Sequence, residues 1–169
     1  MTLPVPVFVL TLAYTLHLLA TVVLVGGLFV LSVLLLPAAS RALVPRDQAA
    51  VLRAISRRFR PLAWLSIAVL AATGLTQMAA NPNYVGFLAL ENRWSAAMFA
   101  KHAAFGAMVA LAVYQTWVIT PALERQALRR AADGEPGERA IPSSQSRLLR
   151  LNFWIGLIIL GLTAIARTA

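Results

Sequence analysis

Four uninterrupted apolar runs set the terms for this chain, because each is long enough to cross a bilayer as a helix. A hydrocarbon core of about 30 Å takes about 20 helical residues. The runs fall at about residues 5–36, 61–80, 95–119 and 148–166. None shows the alternation of a barrel strand, and in lipid the backbone must satisfy its own polar groups, so helices are expected. Pro61 reads as a first-turn proline of the second run, and Pro121 as the stop of the third. The expected fold class is all-α: an integral membrane four-helix bundle forming one domain over residues 1–169, with no internal repeat evident. Charged residues make up only 12% of the chain, against about 25% in a soluble domain. No charged side chain precedes Arg41. The first run also exceeds the roughly 7–15 residues of a signal-peptide core, so it reads as a retained membrane helix.

The connections differ in charge. Residues 41–60 hold Arg41, Arg46, Arg53, Arg57, Arg58 and Arg60 against a single acid, Asp47. Val51, Leu52, Ile55 and Phe59 recur there at helical spacing, which predicts an amphipathic helix lying on the cytoplasmic membrane surface between the first two spans. Residues 124–147 are polar, with Gly134, Gly137, Pro136 and Pro142, and read as a flexible loop; residues 81–94 carry only Glu91 and Arg93. Basic residues therefore concentrate in the first and third connections, which places those in the cytoplasm and both termini outside. Trp94 and Tyr84 fit the outer interface, Trp64 and Trp117 the inner one. A bacterial cytoplasmic (inner) membrane is the expected location. The net charge of +9 then points to anionic lipid headgroups and not to nucleic acid.

Within the spans the titratable residues are few. His17, Lys101 and His102 lie deep, and such residues are functional candidates by default. At 1.5 Å per residue, both histidines sit roughly 12–19 Å from the outer ends of their helices. Two imidazoles at similar depth on the first and third spans can clamp one metal centre, and bundles build cofactor sites between facing helices. The neighbouring faces carry Ala13, Ala20 and Thr21 around His17, and Met98 and Gly106 around His102. Small residues admit a flat macrocycle, and Thr21 can accept a hydrogen bond from a bound group. Lys101 and Arg167 can meet the acid groups of such a cofactor.

These residues support a small b-type cytochrome, with haem b between the first and third helices and His17 and His102 axial. Bis-imidazole ligation leaves no open coordination position, so electron transfer is its expected role, with quinol or a redox partner protein. A homo-oligomer is compatible with this reading. A second reading is copper handling, with His17, Met98 and His102 as soft and borderline ligands. A third is structural: a lone histidine in a membrane helix often just bridges helices. The absence of cysteine excludes disulfides and thiolate metal sites. No hydrolase, phosphate-loop or zinc-protease motif is present, and no catalytic residue is assigned.

Several short motifs carry a family resemblance. They are Leu16-His17-Leu18-Leu19-Ala20 with Gly26-Gly27-Leu28-Phe29, then Phe59-Arg60, Thr73-Gly74-Leu75, Trp94 with Ala100-Lys101, and Pro121. Together they resemble the CopD-like copper-resistance membrane domain and the related HemJ-type protoporphyrinogen oxidase family. The resemblance implies a four-helix membrane domain. Its HemJ-type branch implies haem b, with His17 and Lys101 at functionally important positions. The chain departs from that branch where a histidine is expected near Ala112. Around Arg150 and Asn152 it also lacks the branch's Asn-Glu-Pro motif. His102, beside the matched lysine, is this chain's own feature.

Overall fold

The computed structural model describes residues 6–82, 84, 86, 93–132 and 143–168. Glu91, and the turn residues Gly134, Pro136, Gly137 and Pro142 expected to form a flexible loop, lie outside them. The described residues form helices α1 (Val7–Phe29), α2 (Leu36–Ala42), α3 (Pro45–Ala79), α4 (Arg93–Tyr114), α5 (Thr120–Ala132) and α6 (Ser143–Thr168). Among the described residues there is no strand. Four helical stretches are long and apolar enough to cross a membrane: Val7–Ala42, Asp47–Ala79, Arg93–Gln126 and Gln145–Thr168. The four-span all-α architecture expected from the apolar runs is therefore what the chain adopts.

The helices overrun the expected limits, and prolines show how. Pro61 lies inside α3, which runs unbroken from Pro45 to Ala79. The amphipathic arginine segment is helical as expected, but it continues straight into the second span. Its apolar residue Leu52 packs on Leu36 and Ala39 of α2, and Phe59 joins the main core, so protein covers part of that face. Pro121 does not stop the third span either. A π-helical turn, Gln115–Ile119, carries the chain into α5. A matching π turn, Val30–Leu35, joins α1 to α2 just before Pro37. A proline ring clashes with the carbonyl four residues earlier and offers no N–H. A widened turn shifts that carbonyl, so the helix bends through the proline and continues.

All four spans feed one core. Leu24 and Leu28 of α1, Ile67 of α3, Met108 of α4 and Phe153 of α6 are buried together. α1 packs along α3 and α4 along α6, and α1 also meets α6. α3 meets the π turn Gln115–Ile119 that follows α4 through Trp64 and Trp117, whose rings lie 5.0 Å apart. Gly27 lets α1 pack closely on α3: the Phe59 ring occupies the space a Cβ there would need.

The first and third spans share some features: Ala13 and Ala97 are each 7% exposed and Leu24 and Met108 each 3%, and each span carries a π turn ahead of a proline, Pro37 or Pro121. The bundle is built of two helical hairpins, α1–α3 and α4–α6.

Candidate functional site

α1 and α3 pack closely enough for their side chains to meet near the end of the bundle that carries both termini. His17 Nδ1 lies 2.8 Å from Thr73 Oγ1. The Thr73 hydroxyl donates to the Val69 carbonyl at 2.6 Å, so its own proton is already committed. Thr73 Oγ1 must therefore accept from His17, which puts the ring proton on Nδ1 and leaves the lone pair on Nε2. A hydrogen bond at one ring nitrogen fixes the tautomer and orients the other for a ligand. Gly74 follows Thr73, and the position a Cβ would take there is 3.5 Å from His17 Cε1. One turn away, Gln77 Nε2 donates to the Ala13 carbonyl at 3.3 Å, which ties the same two helices together.

Lys101 lies near enough for its charge to act on the His17 ring, and Arg167 near enough to act on Lys101. The Arg167 guanidinium also stands 5.2 Å above the Tyr14 ring, a cation–π contact.

The other candidates are placed differently. His102 Nδ1 lies 2.6 Å from the Met98 carbonyl, one turn back on its own helix. A carbonyl only accepts, so His102 also carries its proton on Nδ1 and its lone pair on Nε2. The cation whose charge acts on His17 is Lys101, however, and His102 sits at the next helical position. Thr21 donates to the His17 carbonyl at 2.7 Å, so its proton stays within α1. Gly106 is exposed, with nothing within 4 Å of where a Cβ would stand. Thr73, Gly74 and Gln77 were not among the expected site residues. Polar side chains late in an apolar span were the available signal. Among the described residues, no three His, Cys, Asp or Glu side chains converge as a metal cluster.

Fold and site together define a membrane four-helix bundle with one imidazole oriented by a threonine of the neighbouring helix. The chain belongs to the family of copper resistance protein D (CopD), whose family model matches residues 53–166. Thr73, Lys101 and His102 lie within the matched stretch, and His17 precedes it. No curated protein and no solved structure gives a significant match.

Proposed function

We propose that the protein handles copper within the membrane, with copper ions as its cargo and His17 Nε2 as the principal ligand. The carrying observation is the Val69–Thr73–His17 chain of hydrogen bonds, which holds the imidazole in the metal-binding tautomer inside the bilayer. Membership of the copper-resistance family supports the choice of metal. Imidazole and thioether donors suit copper, and His102 and Met98 offer both chemistries on the facing span. A cation beside the ligand weakens metal binding, which suits a site that must release what it takes up; Lys101 is that cation. On this reading the site opens outside, at the end bearing the termini, and the arginine-rich end faces the cytoplasm of a bacterial inner membrane.

One observation favours a second reading. Lys101 lies near enough to act on the His17 ring, and Arg167 near enough to act on Lys101, as partners for acidic groups would, which suits a haem b held by His17. Haem would supply one-electron transfer with quinol or a partner protein, and the two cations would bind its carboxylates. Metal analysis and an optical spectrum of the purified protein separate the readings. Copper bound to the wild type and lost in His17→Ala, without iron, supports copper handling. A red, iron-containing preparation with a sharp reduced band supports haem.

A further inference from the structure

At the arginine-rich end of the bundle a groove lies where the π turn Val30–Leu35 and α2 face α6. Its cavity of about 260 Å³ is lined by Ser32, Val33, Pro37, Arg150, Phe153 and Trp154. Phe153 forms its floor, held by ring contacts to Phe29 at 5.7 Å and Trp154 at 5.8 Å. Trp154 is 60% exposed on the outer surface of the bundle, so the groove opens sideways into lipid.

We propose that this groove is a binding site for an anionic phospholipid. The Arg150 guanidinium would hold the phosphate, and the acyl chain would lie along Val33, Phe153 and Trp154. Three features select that occupant. The groove carries a cation and none of its lining residues is acidic. It lies at the level of the arginine-rich segment, where a headgroup stands when the spans above it are in hydrocarbon. Its remaining walls are apolar and aromatic, as an acyl chain requires. Guanidinium also binds phosphate through paired, geometrically matched hydrogen bonds.

The test uses the full chain in nanodiscs containing phosphatidylglycerol and phosphatidylcholine in equal amounts. Trp64→Phe, Trp94→Phe and Trp117→Phe together leave Trp154 as the only indole. Brominated phosphatidylglycerol should quench its fluorescence about fivefold more effectively than brominated phosphatidylcholine, the preference expected of one basic side chain at a charged interface. Arg150→Gln should abolish the preference and Arg150→Lys retain part of it. Because the triple replacement removes the Trp64–Trp117 ring contact, native mass spectrometry of the otherwise wild-type chain provides a second reading. Bound phosphatidylglycerol should persist there, and Val33→Trp, which fills the groove while keeping Arg150, should displace it. Equal quenching by the two lipids, or phosphatidylglycerol retention unchanged in both Arg150→Gln and Val33→Trp, would overturn the proposal.

Discussion

Thr73 has one hydroxyl proton, and the Val69 carbonyl takes it. What remains is an acceptor, and His17 uses it. Thr73→Val keeps the shape and removes the acceptor, so the ring loses its fixed tautomer while the helix pair stays packed. Copper affinity should fall about 10–100-fold, the usual effect of losing the partner behind a ligating imidazole, and Thr73→Ser should restore most of it. Titration of the purified protein with a copper(I) chelator in competition measures this. Lys101 gives a prediction of opposite sign. If copper is the cargo, Lys101→Met removes a repelling charge and should raise affinity by up to about tenfold. If Lys101 instead binds an acidic cofactor, the same variant should weaken cofactor retention. His17 and Lys101 were legible in the sequence because charge and imidazole are rare in apolar spans. Thr73 was not legible as a site residue: threonine occurs often in membrane helices, and only the packing of α1 on α3 shows which one faces the imidazole.

At the scale of the elements, the two adjacent glycines of α1 separate cleanly. Gly27 faces the Phe59 ring, and a Cβ there overlaps it; Gly26 meets nothing within 4 Å. Gly27→Ala should therefore cost about 1–3 kcal/mol, as overpacking does. Gly26→Ala should be neutral or stabilise by up to about 1 kcal/mol through helix propensity. Denaturation midpoints of the two variants in the same detergent should move in opposite directions or only for Gly27→Ala. The prolines make a second case. Pro121 reads in sequence as the end of a span, since the ring removes a donor and clashes with the preceding turn. The chain passes it, and Pro37 too, by way of a π turn and keeps going. Local rules correctly located the perturbation, but continuity was decided by tertiary contacts, Leu36 and Ala39 against Leu52. Pro37→Ala should let the turn revert to α geometry and rotate α2 away from Leu52. The chain has no cysteine, so Ala39→Cys with Leu52→Cys reports this directly. The pair should cross-link in the otherwise wild-type chain and much less when Pro37→Ala is added.

For the molecule as a whole, span number and helical class followed from run length alone, because a bilayer allows few alternatives to a helix of that length. The pairing of the spans into the hairpins α1–α3 and α4–α6 did not follow, because apolar faces alone do not say which helix packs on which. Orientation rests on the arginines of the first and third connections. Cysteines introduced near either terminus should react with a membrane-impermeant thiol reagent added to intact cells, and one replacing Ser56 should react only after lysis. The central claim, that a Thr73-oriented His17 carries copper, is tested most directly by copper content. Purified wild-type, Thr73→Val and His17→Ala proteins are loaded with copper(I), freed of excess, and analysed for copper and iron. The account predicts bound copper in the wild type, less in Thr73→Val, none above background in His17→Ala, and no stoichiometric iron. Equal copper in all three would contradict it.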